Sequence, residues 1–401
     1  GVGLGMLVFN FIYFGLGFLR MGTTGLVAQN FGRGATSAIL AALARGVALA
    51  LLLGLVAIAL GPLIISLATS SFSASAAAET LMADYISIRL FAVPAALANM
   101  VLLGGLYGSQ QMRLGMALLL LVNGLNLALD ALFVIGLGLA AEGVALASVI
   151  AQWGGFIFMI WRVGHIWPGR LRSVLSRGTH GWAPDWFDRA AFMQFFQLGR
   201  DIFIRTLLLL GCEALLLDAA ARLDDVALAL VQIMLSLFGI IAFSIDGFAH
   251  AAEALVGEAI GRHDPAMLNK VVARTNLLAG VMAVLLSLTI WVGEIPIMTL
   301  MTAQDPLIDA MRPHWVWVAL LPLASFLAFQ MDGIFVGATC GRQMRNAMLV
   351  AAGLFAAVLT FQPFDVGGMM ASFAAYLAVR GLSLYLLFGQ VRAKATPDGN
   401  D

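Results

Sequence analysis

The sequence predicts an all-α, polytopic membrane protein built from two related helical bundles. Three observations carry this. The 401-residue chain is 61% hydrophobic and 11% charged, against about 25% charged in a soluble domain. Its apolar runs are long, and a bilayer-spanning helix needs about 20 mainly apolar residues. Finally, the chain repeats itself at an offset of 229 positions. Leu26-Val27 and Gly32-Arg33 answer to Leu255-Val256 and Gly261-Arg262, Ala44-Arg45 to Ala273-Arg274, and Gly108 to Gly337. Pro94 matches Pro322 at 228, and Met112-Arg113 matches Met344-Arg345 at 232. A solenoid repeat is about 20–50 residues, so this is a duplicated half. In an apolar chain such halves build secondary transporters, with the substrate site at the repeat interface.

Hydropathy places helices at roughly 4–28, 37–68, 82–108, 114–136 and 143–163, and then at roughly 193–222, 227–258, 267–300, 308–338, 343–362 and 367–391. The first bundle is expected over 1–165 and the second over 191–392, with a tail at 393–401. Between the bundles, 166–190 reads as a linker, carrying Pro168, Arg170, Arg172, Arg177, Asp185, Asp188 and Arg189. The helix at 193–222 maps to positions before residue 1. The pattern is therefore five plus six helices here and six plus six in a complete protein. An even count per half makes the repeats parallel, about an axis along the membrane normal.

Basic residues set the expected orientation. Arg33, Arg113, the linker, Arg262, Lys270, Arg274, Arg342, Arg345, Arg392 and Lys394 all fall on one side. The alternate loops carry Glu79 and Glu142. Arg222 is offset there by Asp224 and Asp225, and Arg312 stands near Asp305 and Asp309. The basic side, with the C-terminus, is expected to be cytoplasmic, and the membrane a bacterial inner one. Zero net charge implies no nucleic-acid partner. Cys212 and Cys340 stand alone in apolar segments and suggest neither a disulfide framework nor a zinc site. There is no G-x-x-x-x-G-K-[ST] phosphate loop, so pumping needs an energy source other than ATP.

Four segments carry a family resemblance. Phe18-Leu19-Arg20-Met21-Gly22-Thr23-Thr24-Gly25-Leu26-Val27-Ala28-Gln29 resembles the second helix of multidrug and toxic compound extrusion (MATE) transporters, in the DNA-damage-inducible F branch. Arg200-Asp201-Ile202-Phe203-Ile204-Arg205-Thr206, Asp246 to Glu253, and Gln330 to Thr339 resemble the same branch, in order along the chain. The resemblance implies two six-helix lobes and cation-coupled antiport of organic compounds. It also implies a coupling aspartate on a first helix that this chain lacks.

Ionisable groups inside the membrane cost about 2.5–3.5 kcal/mol each at mid-helix, so each needs a reason. Asn126 and Asp130 share a helical face at i, i+4. Asp130 lies about six residues, roughly 9 Å, from the external turn, and Ser148 returns to a similar depth. Such oxygen-rich groups suit a proton or a hard cation such as Na⁺, although the spacing equally fits an interhelical hydrogen bond. The resemblance implies that Asn126, Asp130 and Ser148 form the N-lobe cation site. Asp246, His250 and Glu253 fall on one face at i, i+4 and i+7, either as a proton relay or as a packed polar stripe. The resemblance also implies a C-lobe acid at Asp332, near mid-depth; Glu213 has no matching register. Arg200, Asp201 and Arg205 read as an interfacial cluster with an Asp201–Arg205 pair. Arg20 and Arg89 read as residues whose heads snorkel to the interface. Nineteen Met and 26 Phe fit either a promiscuous cavity or an ordinary core and lipid face. Pro94 and Pro322 are expected hinges, because a proline frees a backbone carbonyl.

The expected activity is export of an amphipathic or cationic organic compound by alternating access. H⁺ is favoured as coupling ion, with Na⁺ as the alternative. No cofactor is expected, the protein is expected to be a monomer, and no enzyme nucleophile-base or metal-ligand spacing appears. One alternative is a lipid-linked precursor flippase, which needs an Arg-rich cavity for pyrophosphate. On the sequence, the arginines gather at loops and helix ends. The other alternative is a non-transporting complex subunit, which would favour buried lysines. Here the lysines are Lys270 and Lys394, both expected at the cytoplasmic side.

Overall fold

The structure is a computed structural model and describes residues 2–71, 75–166, 189–361 and 365–396. The expected linker, apart from its two ends, lies outside the described residues. The chain divides into two compact units, Gly1–Gly199 and Arg200–Asp401. Among the described residues there is no strand.

In the first unit, α1 (Val2–Gly15) and α2 (Phe18–Gly32) run on as one span. Then come α3 (Thr36–Ala59), α4 (Gly61–Ser71), α5 (Ala76–Arg89), α6 (Val93–Gly108), α7 (Met112–Asp130) and α8 (Ala141–Ile166). The second unit contains most of α9 (Arg189–Ala221), then α10 (Asp225–Gly261), α11 (Pro265–Val292), α12 (Glu294–Met301) and α13 (Asp305–Met311). It ends with α14 (Trp315–Gly337), α15 (Gly341–Phe361), α16 (Val366–Leu386) and α17 (Phe388–Ala395). Ten spans among the described residues are long and apolar enough to cross a membrane. The expected helix at 193–222 forms as α9 but is not one of the ten; it carries Arg200, Asp201, Arg205, Glu213 and Asp218. Side chains as exposed as Ile135 (84%) and Phe243 (83%) are apolar, as a hydrocarbon solvent requires.

The duplication is visible in the backbone. Left-handed φ occurs at Gly34 and His263, and at Gln110 and Thr339, each pair 229 apart. The same reversed turns close on Ala35 N–Asn30 O and Asp264 N–Ala259 O, both 3.0 Å. Gln111 N–Leu106 O (2.7 Å) is likewise mirrored by Cys340 N–Phe335 O (2.8 Å). Inside the bundles, a Cβ on Gly104 would collide with the carbonyl of Arg20, and one on Gly333 with that of Ala249. Gly108 meets Thr24 O and Gly337 meets Glu253 O in the same way. Small residues let helices approach to backbone contact where no hydrophobic effect drives association. These glycines fix α6 on α2 and α14 on α10.

The two prolines are not equivalent. Pro94 starts α6 just after a 3₁₀ turn, Leu90–Ala92, that breaks the span. Pro322 sits inside the unbroken α14, whose nearest 3₁₀ turn is Arg312–His314. The sequence offset matches the residues but not the adjoining 3₁₀ turn. The loops expected to be external carry their own compensation: Arg312 lies 3.6 Å from Glu294 and 3.8 Å from Asp309. Arg222 bonds Asp218 at 2.9 Å, because Asp224 is occupied in capping α10 through Ala227 N.

Candidate functional site

In the first unit, α7 ends at Asp130 and continues as a π-helical turn, Ala131–Gly136. Such turns widen the backbone and are frequent at functional sites. One turn earlier, Asn126 Nδ2 donates to Ser148 Oγ on α8 at 3.4 Å, so two of the three expected site residues meet. Both line a cavity of about 120 Å³ with Tyr13, Arg89, Asn123 and Gln152. Asp130, one turn beyond Asn126, is not among the lining residues. Its Oδ1 is buried and accepts no hydrogen bond from the protein, and the cation whose field reaches it is Arg89.

Arg89 does not snorkel. It lies close to Tyr13 and over the rings of Phe9 and Tyr85 at 5.1 and 5.3 Å, a favourable placement for a desolvated cation. Asn99 Nδ2 ties the cavity wall to Gln152, bonding its carbonyl at 2.8 Å and its Oε1 at 3.0 Å. Trp153 Nε1 donates to Phe91 O in the 3₁₀ break at 2.9 Å. Arg20, also read as snorkelling, lies 5.9 Å over the ring of Tyr107.

In the second unit, Asp332 on α14 accepts hydrogen bonds from Arg205 on α9 and Arg380 on α16. All three are buried. The i, i+4 pair expected between Asp201 and Arg205 is absent. Asp201 instead bonds Arg345 at 2.7 Å and Arg200 at 3.2 Å, which leaves Arg205 to Asp332. Glu213 and Asp246 lie in the field of Arg380. His250 Nδ1 is 3.6 Å from the buried Glu253 Oε2. Both guanidiniums bond Asp332 Oδ2, while its Oδ1 is buried without a hydrogen-bond partner; the two cations disfavour a metal ion there. Arg89 and Arg380 lie within candidate spans, and Arg205 is buried on α9, which corrects the reading that the arginines gather at loops and helix ends.

Comparison with known proteins places this architecture. The MatE family model matches residues 1–132 and 202–361. The chain is 34% identical over 386 residues to the DNA damage-inducible protein F of Escherichia coli K12, covering 96% of this chain and 82% of that one. It is 24% identical over 301 residues to Protein DETOXIFICATION 43 of Arabidopsis thaliana, covering 75% of this chain and 55% of that one. A crystal structure of MATE in the bent conformation superimposes with a TM-score of 0.83 at 20% identity, covering 98% of this chain and 87% of that one. With the duplicated helical bundles and the polar cavity beside Asp130, these matches make the chain a member of the MATE family of multidrug and toxic compound transporters.

Proposed function

We propose that the protein is a proton-coupled antiporter that exports amphipathic or cationic organic compounds by alternating access. Its coupling site is Asp130 with Asn126 and Ser148. The observation that carries this reading is the buried, unbonded Oδ1 of Asp130, one turn from the Asn126–Ser148 contact and in the field of Arg89. A metal ion at Asp130 would be repelled by that guanidinium. A proton instead neutralises Asp130 and removes its attraction for Arg89. That difference in charge favours H⁺ over Na⁺. Protonation then biases one packing of α5, α7 and α8 over another, as any ligand does through its differential affinity for two states. The membrane is a bacterial inner one with the C-terminus cytoplasmic, the orientation that basic loop residues favour.

The flippase alternative needs guanidiniums free to clamp a pyrophosphate. Here Arg205 and Arg380 bond Asp332, and Arg89 packs over the rings of Phe9 and Tyr85, so the buried arginines serve internal partners. The test is Asp130→Asn in proteoliposomes, with ethidium as the lipophilic cation and either a pH or a Na⁺ gradient imposed. The expected result is loss of pH-driven efflux. Undiminished efflux in the variant, or efflux driven by Na⁺ alone in the parent, would overturn the assignment.

A further inference from the structure

The duplication has left the same cavity in both units, and the two are finished differently. In the first unit a cavity of about 140 Å³ lies against Leu26, Arg33, Ala42 and Arg45, and Gln194 and Phe195 from the start of α9 form part of its wall. In the second, Leu255, Val271 and Arg274 stand 229 positions after Leu26, Ala42 and Arg45 around a cavity of about 460 Å³. Its lining comes from α10, α11 and the turn between them alone.

The floor of the second cavity is apolar, with Leu255, Met267 and Val271. Its rim carries Lys270 and Arg274, both exposed and one helical turn apart. Among the described residues neither cation has an ion-pair partner. The nearby Arg262 is held by Glu258 at 2.5 Å. Asp264, the one carboxylate in the lining, is engaged in capping α11 through Met267 N at 2.8 Å. Farther along α11, the same stripe continues as Leu278, Val281, Leu285 and Leu288, about half exposed and apolar. Two unpaired cations thus stand at the head of a lipid-facing stripe, at the end of a membrane span.

We propose that this cavity binds the headgroup of an anionic glycerophospholipid. Lys270 and Arg274 take the phosphate, and an acyl chain lies along Leu278, Val281 and Leu285. Basic pockets between spanning helices are suited to such headgroups. An anionic lipid fits better than a zwitterionic one. The choline of phosphatidylcholine would add a third cation to a rim with one occupied carboxylate. The apolar floor and stripe distinguish a lipid from free phosphate, which would leave both uncovered.

The test is native mass spectrometry of the purified full chain in detergent. The probes are dioleoyl phosphatidylglycerol, dioleoyl phosphatidylcholine and inorganic phosphate. In Lys270→Gln/Arg274→Gln the apparent affinity for phosphatidylglycerol should fall about thirtyfold, roughly 2 kcal/mol at 1.4 kcal/mol per decade and about 1 kcal/mol per interfacial cation. Binding of phosphatidylcholine should not change, and millimolar phosphate should not displace phosphatidylglycerol. Arg342→Gln/Arg392→Gln removes the same charge elsewhere and should bind like the parent. Val271→Trp, which fills the cavity and keeps both cations, should also release the lipid, and Lys270→Arg/Arg274→Lys should retain it. These two variants decide the matter if the double glutamine variant does not fold. Parental affinity in the glutamine and tryptophan variants would overturn the site. So would equal loss in the Arg342/Arg392 control. Displacement by phosphate would reassign it to a free anion.

Discussion

Replacing Asp332 by Asn should be among the most damaging single changes in the second unit. Its carboxylate accepts from both Arg205 and Arg380, and the three side chains are 11%, 9% and 2% exposed. Removing one partner of a buried ion pair costs about 3–5 kcal/mol, because the other charge is left without compensation. Here two charges are stranded, but not equally. Arg380 also feels Glu213 and Asp246, whereas Asp332 is the one carboxylate acting on Arg205. The cost should therefore be concentrated at Arg205. For a unit of about 200 residues, at roughly 2–4 °C per kcal/mol, Asp332→Asn should lower the melting temperature by about 6–20 °C. Adding Arg205→Met should restore part of it, with a coupling of at least about 1.5 kcal/mol in a double-mutant cycle. Arg380→Met alone should cost less than Asp332→Asn, since it leaves a neutral Arg205–Asp332 pair. The assay is thermal unfolding of the purified protein in detergent, followed by tryptophan fluorescence. A shift within 2 °C for Asp332→Asn, or additive Asp332 and Arg205 effects, would refute the buried-triad account.

Other changes should follow their local geometry. Gly333→Ala forces a Cβ into the carbonyl of Ala249; it should destabilise by about 1–3 kcal/mol as an overpacked contact, whereas Gly353→Ala, with open space around it, should change stability by less than about 0.5 kcal/mol on the same melt. Asp201→Asn breaks a pair whose partner Arg345 is 21% exposed, so its loss should be smaller than that of Asp332→Asn, about 1 kcal/mol. Cys340 lies in the turn between α14 and α15, 2% exposed; burial raises its thiol above the ordinary range, against the opposing pull of Lys394. Because the thiolate is the reactive form, maleimide labelling of Cys340 should be negligible at pH 7, should rise only at pH above the usual thiol range, and should be fast at pH 7 once the protein is unfolded.

Much of the fold was legible, because apolar run length and the 229-residue echo are properties of sequence that the bilayer reads directly. Asn126 and Ser148 were legible too, since spacing put them at one depth. The arginines were not, and the reason is the position of helix starts. A helix expected from 82 begins at Ala76, which places Arg89 about 20 Å into the span at 1.5 Å per residue. A helix expected from 193 begins at Arg189, which places Arg205 about 24 Å along it. A few residues of boundary error turn a buried charge into an apparent interfacial one. Arg380 carried a usable signal, being 12 residues before Arg392 and so about 18 Å from the basic end, too deep for a side chain to snorkel. The pairing of Asp201 with Arg345 rather than Arg205 carried no local signal, because the partner lies 144 positions away.

The duplication itself separates scaffold from chemistry. Positions that hold helices together recur in both halves: Gly104 and Gly333 against a facing carbonyl, Gly108 and Gly337 likewise, and the left-handed residues at 34 and 263 and at 110 and 339. Arginines recur at 33 and 262 and at 45 and 274, but the membrane-embedded acids of the second half do not. Asp332 corresponds to Leu103, and Asp246, His250 and Glu253 correspond to Gly17, Met21 and Thr24. Inheritance of a common fold would preserve both kinds of position equally if those acids served packing. Their restriction to one half means that each unit acquired its own internal electrostatics on a shared frame. The first keeps a small polar cavity with an unbonded carboxylate oxygen beside it. In the second, the Asp332 carboxylate is bound by two guanidiniums. A carboxylate without a bound counter-charge can exchange a proton at far smaller cost than one locked in a buried triad. With Asp130 as the proposed coupling group, its neutralisation should impair coupling with little loss of stability, whereas neutralising Asp332 should chiefly cost stability.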